Sequence, residues 1–156
     1  MGSVTLKNIT KSWGDFTAVN DISLSIHDQE FLVLLGPSGC GKTTTMRMVA
    51  GLEEPSMGDI FIGSKKVNDE LPKDRDVAMV FQNYGLYPHM SVYENIRYPL
   101  KVLKVPKSEH EHLVRKTAVK VELGNLLNRR PRELSGGQRQ RVALARAIVR
   151  LSLIHI

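Results

Sequence analysis

Phe31-Leu32-Val33-Leu34-Leu35-Gly36-Pro37-Ser38-Gly39-Cys40-Gly41-Lys42-Thr43-Thr44 is the stretch whose reading decides the fold. Its first five residues are apolar without a break, the pattern of a strand covered on both faces in a parallel sheet. From Gly36 to Thr43 it fits G-x-x-x-x-G-K-[ST]. Met46, Val49 and Ala50 then recur at helical spacing, and Gly51 is a natural stop. Strand, glycine loop and helix in that order predict a phosphate-binding loop. Gly36, Gly39 and Gly41 let the backbone turn tightly and aim successive N–H groups at phosphate oxygens. The positive end of the next helix points at the same place. Lys42 is long enough to reach β- and γ-phosphates, and the Thr43 hydroxyl suits Mg²⁺. Pro37, Ser38, Cys40 and Thr44 complete the cradle. Cys40 is the only cysteine. It reads as a small loop residue rather than a nucleophile, since no histidine base is near it in sequence.

A second helix start lies downstream at Leu134-Ser135-Gly136-Gly137-Gln138. Ser135 is placed to cap and Gln138 to reach back, a capping box. The same serine hydroxyl and glycine N–H groups also make an anion site, and the two readings are compatible. Two such sites about a hundred residues apart suggest two chains clamping nucleotide between them. Between the motifs, Val77-Ala78-Met79-Val80-Phe81 is another unbroken apolar run ending at Gln82. Val4 and Leu6 alternate with polar residues, as do Ile22, Leu24 and Ile26, and both segments predict half-buried strands. Ile60-Phe61-Ile62 is a short strand ended by Gly63. Ser91-Val92-Tyr93-Glu94 and Ser108-Glu109-His110-Glu111 resemble capping boxes. Val114, Thr117, Ala118 and Val121 share a helical face that Gly124 ends. About 85–133 therefore reads as a helical insertion, bent or broken at Pro99 and Pro106. The last helix turns Val142, Ala145, Ile148 and Val149 inward.

At 156 residues, 42% hydrophobic and 24% charged, the chain has the size and balance of one soluble globular domain. It shows no membrane-spanning apolar run, no secretory leader and no myristoylation pattern. A single cysteine excludes an internal disulfide and fits a reducing compartment. The net charge is +6, much of it late, at Arg129, Arg130, Arg132, Arg139, Arg141, Arg146 and Arg150. These arginines read as a solvated face; anionic phosphates or an acidic partner come next. A nucleic-acid surface is disfavoured because no aromatic residues interleave with them.

Taken together, the phosphate loop, Gln82 at a strand end, and 134–138 running into Arg139-Gln140-Arg141-Val142-Ala143-Leu144-Ala145-Arg146-Ala147 resemble the nucleotide-binding subunit of an ABC transporter. The resemblance covers nearly all of 3–150. The run Val80-Phe81-Gln82-Asn83-Tyr84-Gly85-Leu86-Tyr87-Pro88-His89-Met90 is similar to the importer ATPases for maltose-type sugars and glycerol 3-phosphate. It implies an α/β fold: a P-loop NTPase core, incomplete here, with an N-terminal antiparallel β subdomain and a helical insertion. It also implies ATP and Mg²⁺ as cofactors. Trp13 would stack on adenine, against a reading as a core tryptophan, and Val19 would border the ribose. Lys42 and Gln82 would serve catalysis, and Thr43 and Gln82 would contact Mg²⁺. Gln82 would also meet the attacking water. Residues 84–89 would lie near the groove for a membrane subunit's coupling helix. For His89, a structural role after Pro88 weighs as much as a contact. Ser135, Gly136, Gly137 and Gln138 would bind the nucleotide held by a second subunit's phosphate loop. The partners implied are that second ATP-binding subunit, membrane-spanning permeases and, indirectly, a solute-binding protein. No nucleic acid is expected, and the place implied is the cytoplasmic membrane face, peripherally bound.

The family pattern continues, after the last helix, with an apolar strand, an aspartate for Mg²⁺, a glutamate that polarises water, and later a switch histidine. Leu151-Ser152-Leu153-Ile154-His155-Ile156 departs from it. One back-translation, CTG TCT CTT ATA CAC ATC, resembles a transposase sequencing adapter. The tail 151–156 is therefore read as foreign read-through, against a short natural strand. As written, the chain is expected to bind ATP weakly and not to hydrolyse it, though an ATPase (translocase) by family. Three alternatives stand beside the sugar-importer reading: another ABC importer class, a non-catalytic nucleotide-binding fragment, and a P-loop ATPase of nucleic acid. The last would need long insertions between the two motifs.

Overall fold

Val4–Trp13 (β1) and Phe16–Ile26 (β2) form an antiparallel hairpin closed by Gly14 and Asp15. This is a computed structural model, and it describes residues 2–151; the side chain of Leu151 and the reading of 152–156 lie outside them. β1 is central because its apolar residues have partners on both sides. Leu6 sits opposite Leu24 of β2 and Ile60 of Met57–Ile62 (β3). A two-residue strand, Lys65–Lys66 (β4), completes the order β2-β1-β3-β4, antiparallel throughout. Lys42–Val49 (α1) follows the glycine loop. Leu6, Ile9, Val19, Met48, Ile60 and Val67 are the buried core here. Each such side chain contributes about 1.5–3 kcal/mol by leaving water.

The chain divides into two compact units, up to Val77 and from Ala78. The second unit is helical. Val92–Val102 (α2), Lys107–Lys120 (α3) and Gly136–Leu151 (α4) meet along their apolar faces. Ile96, Leu100, Val114, Ala118, Val142, Ala145 and Val149 are fully buried between them. Shortening Ile96 to alanine would cost about 2–5 kcal/mol.

Several sequence readings are corrected. Neither 31–35 nor 77–81 joins a sheet among the described residues. Phe31 is 90% exposed and Leu35 87%, while Leu32 and Leu34 between them are half-buried. Apolar composition supplies two burial-seeking faces, but a parallel strand also needs a neighbour to take its N–H and C=O groups. None of the described residues supplies one. The glycine loop accordingly follows an unpaired segment rather than a buried strand. At Ser91 the expected capping box is present, with Ser91 Oγ accepting the Glu94 N–H and Glu94 accepting the Ser91 N–H. At Ser108 it is absent. Pro106 occupies the cap of α3, its fixed φ starting the helix two residues before the expected first helical residue, so Ser108 falls inside the first turn. Pro99 does not break α2, which runs on to Val102; Lys104 ends it in the left-handed region at φ 56°.

Candidate functional site

The glycine loop enters α1 through Gly41 at φ 88°. A Cβ there would stand 2.3 Å from the Ala18 carbonyl oxygen and 3.0 Å from Val19 Cγ2. The loop is therefore pressed against β2, and only glycine permits that approach. No side chain caps α1, so the helix start is not closed by its own sequence. Lys42, Thr43 and Thr44 form its first turn, where N–H groups lack intrahelical acceptors. Thr45 is buried and returns its hydroxyl to the Gly41 carbonyl at 3.0 Å, tightening the turn. The Lys42 ammonium donates to the carbonyls of Gly36 (2.8 Å) and Pro37 (2.7 Å) and to Cys40 Sγ (3.2 Å). Thr43 is exposed, its hydroxyl open to a ligand. Convergent N–H groups, an ammonium and a free hydroxyl at one helix start fit a polyphosphate carrying a divalent cation.

Trp13, at the hairpin tip, is 46% exposed and stacked on Phe16 at 6.4 Å and 13°. An open indole suits a flat base better than a core does. Val19 is buried, packed against Gly41.

Gln82 and 135–138 belong to the second unit. Gln82 is exposed in a turn that continues through Tyr84 (φ 64°) and Gly85 (φ 54°). The Arg146 guanidinium of α4 grips the Gly85 carbonyl and lies 4.8 Å over the Tyr87 ring. Tyr87 packs on Tyr98 at 4.8 Å and nears His89 at 6.2 Å. Burial, with a hydrogen bond that the Tyr87 hydroxyl donates to Tyr98, pushes the Tyr87 pKa up. His89 is exposed. At the other end of α4 the expected box is formed. Gln138 accepts the Ser135 N–H at 2.9 Å, and Ser135 Oγ accepts the Gln138 N–H at 3.3 Å. Ser135 and Gly137 remain exposed. Three of the late arginines prove structural rather than merely solvated. Arg139 bonds the Leu134 carbonyl at 2.8 Å, Arg141 pairs with Glu122 at 2.6 Å, and Arg146 holds the loop after Gln82.

Sequence reasoning missed two organising residues. Asn95 is fully buried and bonds the backbone of Tyr87, Met90 and Ser91. Arg75, 3% exposed, donates to the carbonyls of Met48, Val49, Asn68 and Glu70 and so closes the end of α1. Burial pushes its pKa down. A polar residue amid apolar helical spacing, as at Asn95, was the one available signal.

The ABC transporter family model matches residues 19–156. The trehalose/maltose import ATP-binding protein MalK of Thermococcus litoralis is 61% identical over 156 residues, covering 96% of this chain and 42% of that protein. The sn-glycerol-3-phosphate import ATP-binding protein UgpC of Bordetella avium is 57% identical over 151 residues, covering 96% and 42%. The chain thus spans about two fifths of the length of these curated relatives. Among solved structures, the dimeric ATP-binding cassette MJ0796 bound to ADP and Pi superposes with a TM-score of 0.84 at 35% identity, covering 95% of this chain and 70% of that one.

Proposed function

The chain belongs to the ABC transporter family of ATPases, and from that premise we propose that it is the nucleotide-binding part of an importer for a sugar or glycerol-3-phosphate-like solute. The observation that carries the reading is the uncapped start of α1, with Lys42 and Thr43 beside it and Gly41 pressed on β2. In this proposal the N–H groups of 36–44 and Lys42 hold the phosphates of ATP. Trp13 receives the adenine, and Val19, packed against Gly41, borders the ribose. Mg²⁺, when bound, would neutralise phosphate charge, with Thr43 and Gln82 as its protein contacts. Ser135, Gly136, Gly137 and Gln138 serve the nucleotide of a second ATP-binding subunit, so each site is completed in a dimer.

The domain spans 3–150, with the helical insertion at about 85–133. Permease subunits and, through them, a solute-binding protein are the further partners. No described helix is long and apolar enough to cross a membrane. The place proposed is the cytoplasmic membrane face, peripherally bound, by likeness to the import ATP-binding relatives. Another ABC importer class is the second reading. It is favoured only if transport assays on the neighbouring permeases reveal a different solute.

These residues supply a cradle, a glutamine and a clamp, with no carboxylate assigned to the attacking water. Weak Mg-ATP binding without turnover is the expected behaviour of the 156 residues alone. Calorimetric titration with Mg-ATP tests the first part. Binding that is lost in Lys42→Ala supports it, and equal binding by both proteins overturns it. Phosphate release at saturating Mg-ATP tests the second, where lysine-dependent turnover is the overturning result.

A further inference from the structure

Lys11 is a lysine with 9% of its surface exposed. Its ammonium meets Glu53 Oε1 at 2.8 Å and the Glu54 carbonyl at 2.7 Å, and stands 5.0 Å from the centre of the Trp13 ring. An ammonium has three donors, and these three acceptors use them. Its charge is therefore spent inside the fold rather than offered to a phosphate. Glu53 and Glu54 lie just beyond the end of α1, the helix that begins at the phosphate loop. Lys11 thus ties the indole at the hairpin tip to the segment leaving that helix. Across the hairpin it faces Val19, the residue against which Gly41 is packed.

We propose that Lys11 is a positioning residue for nucleotide-base recognition: its anchored ammonium stands over the Trp13 ring and, with Phe16 stacked on it, fixes the ring so that its exposed surface is the platform for the base. A cation held over an indole ring by a partly buried carboxylate restricts the ring's rotation, so less freedom is lost when a base stacks. Phe16, stacked alongside, limits the ring's remaining travel. This inference rests on the reading of Trp13 as the base-stacking residue. It adds that the phosphate half and the base half of the site are mechanically linked through Lys11, Glu53 and Glu54.

Trp13 is the only tryptophan, so its emission reports this site alone. The test uses the 156-residue chain with Mg-ATP and with inorganic tripolyphosphate, which lacks a base. In the unsubstituted protein ATP should quench Trp13 and tripolyphosphate should bind without doing so. Lys11→Met keeps the aliphatic stem and removes the charge. It should weaken ATP on the order of tenfold, leave tripolyphosphate affinity unchanged, and shift Trp13 emission to the red. Lys11→Arg should restore most of the ATP affinity, because guanidinium also stacks on indole. Glu53→Gln, which loosens the anchor while keeping the lysine, should show a smaller loss with the same selectivity and stands in if Lys11→Met does not fold. ATP affinity unchanged in Lys11→Met, or ATP and tripolyphosphate weakened equally, would overturn the proposal while leaving the Trp13 reading intact. Trp13 emission unmoved by saturating ATP in the unsubstituted protein would overturn the Trp13 reading and this proposal with it.

Discussion

Asn95 holds the Tyr87 backbone from both sides: its side-chain oxygen accepts the Tyr87 N–H at 2.9 Å, and its amide donates to the Tyr87 carbonyl at 3.1 Å. The same amide donates to the carbonyls of Met90 and Ser91, so one fully buried side chain shapes the loop leading into α2. Asn95→Asp keeps the shape but removes the donors and buries a charge facing three carbonyls. A loss of about 3 kcal/mol is expected, read as a lowered urea midpoint of the helical unit. Asn95→Leu should cost about as much, because those carbonyls lose their partner without gaining water.

Acid should loosen the start of α2. The Ser91 N–H donates to the Glu94 carboxylate at 2.8 Å and, with the Ser91 hydroxyl, holds its carboxyl below the usual carboxylate range. A carboxylate whose pKa is depressed by folding stabilises above its unfolded value, and that stability is lost as pH falls through the folded one. The contribution should therefore be complete at neutral pH and fade as the pH falls through and below the ordinary carboxylate range. Glu94→Gln should retain the hydrogen bond and flatten this part of the pH profile of thermal unfolding. Ser91→Ala should cost about 1 kcal/mol at neutral pH.

Two glycines of the phosphate loop should respond differently to the same change. Gly39 and Gly41 share a left-handed backbone, at φ 84° and 88°, but only Gly41 faces a close neighbour. Gly39→Ala should cost about 1–2 kcal/mol of backbone strain and leave the cradle recognisable. Gly41→Ala adds a collision with the Ala18 carbonyl and should cost about 3–4 kcal/mol, with nucleotide binding abolished. Chemical denaturation and ATP titration of the two variants side by side check the order.

Arg75 should be intolerant of loss. Arg75→Met removes the donors to Met48, Val49, Asn68 and Glu70 and should destabilise the first unit by about 3 kcal/mol. Arg75→Lys should recover only part, since a single ammonium cannot span a fork of carbonyls. Hydrogen exchange at the end of α1 should rise in both, more in the methionine variant.

Features encoded locally were legible in the sequence. Ser91 with Glu94, Ser135 with Gln138, and Lys42 after Gly41 each depend on residues within a turn of one another. Lys11, Arg75 and Asn95 were not, because their worth lies in backbone carbonyls that no residue type advertises. Lys11 reaches Glu54, 43 positions away, and Arg75 reaches Met48, 27 away. The run 31–35 departs from a buried strand for a related reason. Its composition states a wish for burial, while a strand exists only where another segment meets its hydrogen bonds. Ser108 failed as a cap because Pro106, two residues earlier, had already set the backbone for the helix.

By donating to the carbonyls of Gly36 and Pro37, Lys42 ties the start of its own loop to the start of α1. On the proposed reading, a phosphate would compete with those carbonyls for the ammonium, and each bond it gained would replace one to the protein. Net affinity would then reflect the difference between the two sets, and ligands of higher charge would gain most from the exchange.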